Sequence, residues 1–255
     1  MMQKVKIYVA AHKPAPHYGG PTYQLIHVGS SLHPDVYIKG SIGDNEYPDN
    51  ISTKNDIYCE LTALYYIWKN VKDIDVVGLC HYRRLLGKRT FTYNIEKDIL
   101  TANDCLQILS DNDIILQRKS EKKGAVNGFF TSKDELRKYR PFVLMGNAIR
   151  KVCPEYYKEF EKEFFIKEMS YQNIMVCKKT LWDKYCEWLF SVLFQVEVDL
   201  KKNGGNVEPR ELGFYSEWLL NVWVRYNNLK VYYTPIINTE TPKNIKYFIN
   251  YLRGK

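Results

Sequence analysis

The sequence lacks both long apolar runs and paired cysteine motifs. No segment approaches the ~20 apolar residues of a membrane-spanning helix, and the apolar run after the first lysines is too short for a signal-peptide core. The six cysteines are widely spaced, form no C-x-x-C pair and lie mostly among apolar residues. That pattern excludes a zinc site and fits buried thiols in a reducing compartment. We therefore expect a cytoplasmic protein, either soluble or peripherally attached to a membrane.

Several common catalytic motifs are also missing. The chain has no G-x-x-x-x-G-K-[ST], G-x-G-x-x-G, H-E-x-x-H or G-x-S-x-G, which excludes the commonest P-loop, dehydrogenase, zinc-protease and hydrolase classes. No Asp-x-Asp follows a predicted strand. The pairs Asp73/Asp75 and Asp111/Asp113 have that spacing, but they precede their strands. We interpret both pairs as turn and cap residues.

The charge of the chain is the first positive signal. Its 255 residues carry 37 Lys and Arg against 29 Asp and Glu, a net charge of +8. A basic chain of this size indicates one domain with an anionic partner, such as a nucleotide, a nucleic acid or an acidic membrane surface. The charge and the 21 tyrosines leave a nucleic-acid-binding protein as an alternative. The dispersed basic residues and the lack of an RNP, KH or helix-turn-helix signature count against it.

The order of predicted elements indicates an α/β fold. Apolar runs predict strands over residues 5–10, 76–80, 113–117 and 173–177, and a closing strand lies within "LKVYYTPI"; "YQLIHVGS" is either a strand or a turn of helix. Helical spacing predicts helices between these strands and two long apolar helices near the C-terminus. We expect a single domain with a mainly parallel sheet covered by helices. Ligands then lie at the carboxyl ends of the strands.

The stretch "DVVGLCHYRR" places His81, Tyr82, Arg83 and Arg84 directly at the end of a strand. Adjacent guanidiniums and an imidazole at that position can bind a diphosphate through charge-assisted hydrogen bonds. The alternative is a solvated basic turn. Because the preceding run reads as buried on both faces, we favour an anion site.

Glu217 lies in "GFYSEWLLNVW", a helix that is apolar over most of its circumference. A carboxyl group there is either desolvated, with a pKa raised towards that of a general base, or on the one wet face and paired with Arg210. The spacing leaves both possibilities open.

Three segments have two interpretations each. Residues 49–55, "DNISTKN", either bind a ligand or cap a helix, with Thr53 and Asp56 forming the cap. Residues 119–144 are basic and contain two glycines, as expected of a lid over phosphates or of an ordinary solvated loop. The basic, aromatic tail after residue 241 either lies on an anionic bilayer or packs on the core.

Four blocks in the chain carry a resemblance to a known family. Together they resemble the bacterial capsular-polysaccharide, exopolysaccharide and O-antigen glycosyltransferases grouped under a domain of unknown function, whose assigned members look like galactofuranosyltransferases with a GT-A-like fold. The match runs in order over residues 4–248. The blocks are "DNISTKNDIYCELTALYYIWKN", "DVVGLCHYRR", "NIMVCKKTLWDKYCEWLFSVLF" and "RELGFYSEWLLNVWV".

The resemblance implies a transferase that moves a hexose, such as galactose or galactofuranose, from a UDP-sugar to a glycan or lipid-linked acceptor. It implies that residues 1–118 bind the nucleotide sugar and residues 119–255 serve the acceptor. GT-A enzymes usually hold the diphosphate through a metal bound to Asp-x-Asp. Here the basic cluster 81–84 occupies that place, so we expect no metal or other cofactor. A non-catalytic scaffold of a polysaccharide assembly complex is the remaining alternative.

The same resemblance assigns roles to individual residues. It implies a catalytic role for His81, Arg83, Arg84 and Glu217, with Glu217 as the general base of an inverting reaction. Trp218 departs from the family pattern, in which a basic residue often follows the acid. The residues implied in substrate binding are Ala11, His12, Lys13, Asp49, Asn50, Asn55, Glu60, Gly78, Tyr82, Asn173 and Arg210.

Overall fold

The computed structural model describes residues 3–122 and 138–241 of the chain. Its strands are β1 (Val5–Ala11), β2 (Tyr23–His27), β3 (Ile42–Gly43), β4 (Val76–His81), β5 (Arg84–Leu86), β6 (Ile114–Gln117), β7 (Ser120–Glu121), β8 (Glu168–Met169), β9 (Met175–Lys178), β10 (Val231–Thr234) and β11 (Ile236–Asn238). Its helices are α1 (Asn55–Tyr58), α2 (Leu61–Asn70), α3 (Ile95–Asp98), α4 (Ala102–Asp111), α5 (Arg140–Val152), α6 (Tyr157–Glu163), α7 (Lys179–Lys202) and α8 (Glu211–Tyr226).

Nine of the described strands form one sheet in the order β10-β6-β9-β4-β1-β2-β3, with β5 and β11 as a side branch from β4. β1 pairs in parallel with β2 and β4, β2 with β3, and β6 with β10. β9 lies antiparallel between β4 and β6. The predicted α/β fold with a mainly parallel sheet is confirmed, and the strand interpretation of "YQLIHVGS" is correct.

Successive side chains of a strand point to opposite faces of the sheet, where they pack into two separate hydrophobic cores. Tyr8 and Ala10 of β1 face the larger core under α2, α5, α7 and α8, whereas Ile7 and Val9 face a smaller core that includes Cys105 of α4. β4 is buried along nearly its whole length, because helices cover both faces. Its apolar sequence therefore follows from its central place in the sheet.

The helix predicted to begin at a Thr53/Asp56 cap is built differently. Ser52–Lys54 form a 3₁₀ turn, α1 follows without a side-chain cap, and Cys59 with φ 53° separates α1 from α2. The Ser52 hydroxyl instead donates to the fully buried Asp44 carboxylate, 2.5 Å away. That carboxylate also accepts hydrogen bonds from the backbone N–H groups of Gly29 and Ser30. A tertiary partner thus replaces the local cap, and the predicted cap is wrong.

Two of the three segments with open interpretations lie partly or wholly outside the described residues. Residues 123–137 of the predicted lid, and the C-terminal tail from residue 242, fall outside; residues 140–144 belong to α5. Among the helices of residues 3–122 and 138–241, none combines the length and apolarity that a bilayer crossing demands.

Candidate functional site

A cavity of about 1220 Å³ opens at the carboxyl ends of β1 and β4. The end of β1, the turn after β4, the break between α1 and α2, and the start of α8 all contribute to its wall. The predicted site residues that line it are His12, Asn55, Glu60, His81, Tyr82, Arg83, Arg84, Arg210 and Glu217. This location is the one at which open α/β sheets place their ligands.

The basic cluster forms a tight turn between β4 and β5. His81 pairs with Arg84 across the turn, so that Tyr82 and Arg83 form its tip. All four side chains line the cavity. The cluster is therefore a turn, as the alternative interpretation proposed, but one that faces a concave site.

Tyr82 organises the cations around it. The Lys13 ammonium lies 5.5 Å and the Arg83 guanidinium 5.3 Å from the centre of its ring, and the His12 ring meets it edge-on at 5.4 Å. Glu240 lies 3.7 Å from Lys13 and 3.9 Å from Arg83. The ion pairs of Lys13 and Arg83 with Glu240 are long and exposed to solvent, so they contribute little. Both cations therefore remain available to an anion.

Glu217 faces this basic turn from α8. Burial of the side chain, together with the nearby negative charge of Glu60, raises the pKa of Glu217 to about 7. Its Oε1 accepts a hydrogen bond of 3.0 Å from the backbone N–H of Gln172. Arg84 and Arg210 act in the opposite direction on this pKa. In the described part of the chain no ion pair within 4 Å joins Glu217 to Arg210, so the interpretation as a paired surface residue is not supported.

Above pH 7, Glu217→Gln should be more stable to unfolding, relative to the unmodified protein, than it is at pH 5. The folded state holds the Glu217 proton up to a pKa of about 7, against an ordinary value of 4.5. Stability contributed by the neutral form is complete below pH 4.5 and is lost as the pH rises through 7. Glu217→Gln removes this loss, worth up to about 3 kcal/mol. Urea unfolding of both proteins at pH 5 and pH 8 measures it, with the exposed Glu187→Gln as control. Parallel pH profiles for Glu217→Gln and the unmodified protein would contradict the raised pKa.

A second carboxyl group, that of Glu60, lies beside His81. Its Oε1 accepts a 2.7 Å hydrogen bond from the Asn173 side-chain amide and lies 3.9 Å from His81 Nε2. Burial lowers the pKa of His81, and the Glu60 charge opposes that change. Within the described residues His81 Nε2 and the Tyr82 hydroxyl are buried without a hydrogen-bond partner. Unpartnered buried polar atoms in a cavity wall indicate that a polar ligand completes them.

Some predicted binding residues lie away from the cavity surface. Asn173 is fully buried, and its amide holds Glu60 and the Ser216 hydroxyl; it therefore positions Glu60 from behind the wall. Asp49 instead accepts a hydrogen bond from Tyr65, and Asn50 donates one to the Tyr47 carbonyl.

The remaining three also do not line the cavity. Ala11 is buried in the smaller core. Gly78 lies within β4, where a Cβ would come within 2.6 Å of the Val176 side chain. Lys13 lies outside the cavity wall, over the Tyr82 ring.

Left-handed backbone concentrates around the cavity. Cys59, Gln172 and Arg210 line it with φ of 53°, 67° and 64°, and Asn173 behind it has φ 53°. Each such residue costs on the order of 1–3 kcal/mol unless its surroundings impose it. Here the surroundings impose it at Gln172, whose backbone N–H donates the 3.0 Å hydrogen bond to Glu217 Oε1.

Several lining residues were not predicted from the sequence. Most of them are aromatic or charged, and they include Lys122, Tyr139, Arg140, Tyr171, Gln172, Glu208, Phe214 and Trp218. For Gln172 no local signal exists, because glutamine rarely adopts positive φ.

The residues at the end of β4 do not fit the divalent metal that GT-A folds commonly hold. Guanidinium groups cannot ligate a cation, and here they occupy the strand end where the paired aspartates would stand. Across the described residues, no three His, Cys, Asp or Glu side chains are grouped so as to hold a metal ion.

The chain is similar to a solved glycosyltransferase structure. The apo structure of the WbbM bifunctional glycosyltransferase matches with a TM-score of 0.78 and 28% sequence identity, covering 94% of this chain and 46% of that one. The chain thus spans less than half of that protein, and the likeness confirms the predicted GT-A-like fold. No curated protein matches the chain.

The family model matches nearly the whole of this architecture, from within β1 to the end of α8, over residues 6–228. The chain therefore belongs to the family described as Domain of unknown function (DUF4422).

Proposed function

We propose that this chain is a glycosyltransferase domain that moves a hexose from a UDP-sugar to a glycan or lipid-linked acceptor. Galactofuranose and galactose are the favoured sugars, on the family resemblance. The reaction inverts the anomeric centre and needs no divalent metal. The implied setting is the synthesis of a bacterial capsular polysaccharide, exopolysaccharide or O-antigen at the cytoplasmic side of the membrane.

One observation carries the proposal: a carboxyl group with a pKa of about 7 shares one cavity with the cationic turn at the end of β4. Transfer from a nucleotide sugar needs both parts. A base must take the proton of the acceptor hydroxyl, and positive charge must stabilise the departing diphosphate. The likeness to a bifunctional glycosyltransferase over 94% of this chain supports the same reading.

In this mechanism Glu217 accepts the proton of the acceptor hydroxyl. The hydroxyl oxygen attacks the anomeric carbon from the face opposite the leaving group. The bond from that carbon to the β-phosphate oxygen breaks, and UDP leaves with the electron pair. Arg83, Arg84 and Arg210 supply positive charge near the leaving diphosphate, and each lines the cavity. Tyr82, whose buried hydroxyl has no partner among the described residues, can donate to the same group.

We assign roles to Asn55, His12 and Glu60 from the family resemblance. His12 follows the end of β1 and Asn55 begins α1, and both line the cavity; we assign them to the nucleoside. Glu60 lies between His81 and Asn173, where a carboxylate can accept a hydrogen bond from a sugar hydroxyl.

Binding and turnover should survive removal of divalent metal. Thermal shift and UDP release are measured with UDP-galactose, UDP-galactofuranose, UDP-glucose and their N-acetyl relatives, each in EDTA and in Mn²⁺. We expect one UDP-sugar to be preferred and its turnover to be the same in both conditions, because side-chain cations neutralise the diphosphate. Activity that disappears in EDTA and returns with Mn²⁺ would contradict the metal-free mechanism. Failure of every UDP-sugar to bind would overturn the proposed function.

A further inference from the structure

The cavity is larger than one nucleotide sugar requires. Its volume of about 1220 Å³ exceeds the roughly 300–1,000 Å³ of a typical single-ligand site. Arg83 and Arg84, which we propose to face the diphosphate, lie in the turn after β4, whereas the first turns of α8 form a different wall of the cavity. The space beside α8 therefore has room for a second ligand.

Two aromatic side chains dominate that wall. Phe214 and Trp218 lie one helical turn apart on α8, so they share one face of the helix. Both line the cavity. Phe214 is 49% exposed, so its ring is accessible to a ligand in the cavity.

Trp218 is held rigidly from behind. Its ring lies 5.3 Å from Phe164, 6.1 Å from Tyr139 and 6.4 Å from Tyr215, in the last case nearly parallel at 16°. Phe214 is bounded on one side by the Arg210 guanidinium, 5.3 Å from its ring centre. Trp218 therefore offers a ring that is fixed before a ligand binds, and Phe214 offers an accessible ring one helical turn away.

The pair also stands next to the proposed base. Glu217 lies between Phe214 and Trp218 in the sequence, and its carboxylate is held in the cavity by the Gln172 backbone. A group that stacks on these rings therefore has its edge near Glu217. That is the position which an acceptor hydroxyl must take for proton transfer.

The surrounding chemistry suits a sugar better than a lipid chain. A hexose ring has an apolar C–H face and a rim of hydroxyls, so it needs an aromatic plane bordered by polar groups. The aromatic wall is interrupted by Glu208, Arg210 and Glu217, whereas an acyl or polyprenyl chain needs a continuous apolar groove. We propose that Phe214 and Trp218 form the acceptor subsite and bind a saccharide ring through its C–H face. This inference rests on the proposed function, because it makes the acceptor a glycan.

Saturation-transfer NMR tests the subsite directly. The probes are methyl glycosides of galactose, glucose, mannose and N-acetylglucosamine, together with octyl galactoside, each added to the UDP-saturated protein. We expect saturation to concentrate on the ring C–H protons of at least one methyl glycoside. Phe214→Leu keeps the apolar volume but loses the aromatic plane, and should weaken that binding about 3- to 10-fold. Phe214→Tyr should retain it, and Tyr232→Leu, an exposed ring on β10 outside the cavity, should have no effect.

Three results would overturn the subsite: saturation confined to the octyl chain, equal affinity in Phe214→Leu, or no binding of any methyl glycoside. Trp218→Phe provides a second variant, since it keeps an aromatic face against the cluster behind it. The Kd for UDP, measured in every variant, separates this inference from the proposed function. If the unmodified protein binds UDP but the affinity for methyl glycosides is the same in Phe214→Leu, the acceptor subsite is wrong and the proposed function is unaffected.

Discussion

Glu217→Gln is expected to lower turnover, measured as UDP release from the preferred UDP-sugar, by about 10²- to 10⁴-fold. The amide has nearly the shape of the carboxyl group, and its oxygen can still accept the 3.0 Å hydrogen bond from Gln172. It cannot accept a proton from the acceptor. The cations of the β4 turn are untouched, so the Kd for UDP should remain nearly unchanged.

The pH dependence of kcat/KM is an independent test of Glu217 as the general base. Only the ionised carboxylate can act as a base, so kcat/KM should rise with pH through about 7, the pKa of Glu217. That rise should be absent from the residual activity of Glu217→Gln. Glu187→Gln removes one exposed carboxylate from α7 and should behave like the unmodified protein. Equal losses of turnover and UDP affinity in Glu217→Gln would indicate a structural role for Glu217 instead.

Local patterns predicted the features that depend on neighbours in sequence. The apolar run of β4 followed at once by His81, Tyr82 and the two arginines is such a pattern, and so is a lone acid on the apolar helix α8. Both place their polar residues at the cavity. In each case the signal is local: an apolar stretch, which indicates burial, is followed or interrupted by polar residues close to it in the sequence.

Features that depend on distant partners were not predictable in this way. The sequence pattern predicts Asn173 in a strand, but the strand begins at Met175. Gln172 and Asn173 instead have left-handed φ and make hydrogen bonds to Glu217 and Glu60. Those partners are 45 and 113 residues away in the sequence. The break at Cys59 likewise brings its side chain against Gly213 of α8, where a Cβ would lie 3.1 Å from the sulfur. No local propensity marks either position.

Charge reversal at Arg84 is the second large expected effect, with a loss of UDP-sugar affinity of at least about 100-fold. A charge-assisted hydrogen bond to a phosphate contributes roughly 1.5–3 kcal/mol, and a carboxylate in its place adds repulsion. The Arg84 charge contributes to the lowered pKa of His81 and opposes the rise in the pKa of Glu217 that burial causes, so Arg84 lies close to both groups. Its replacement therefore removes positive charge at the centre of the site. Arg83→Glu should act in the same direction at the rim, where Arg83 is 41% exposed.

The fold should tolerate these changes, since the bonds that place Arg84 are made by its backbone. Arg84 pairs with His81 of β4 and with Asn238 of β11, and an extended glutamate can form the same ladder. Isothermal titration with UDP and with the preferred UDP-sugar measures the affinity, and thermal unfolding checks the fold. Arg118→Glu is the matched control, because Arg118 is exposed, lies outside the cavity, and its side chain donates a hydrogen bond to the Thr90 hydroxyl. If Arg84→Glu unfolds at the usual temperature and still binds UDP normally, the turn after β4 is only a basic surface. The diphosphate must then be neutralised by another cation of the cavity, with Arg210 as the first candidate, because Lys122 and Arg140 are already paired with Glu163 and Glu211.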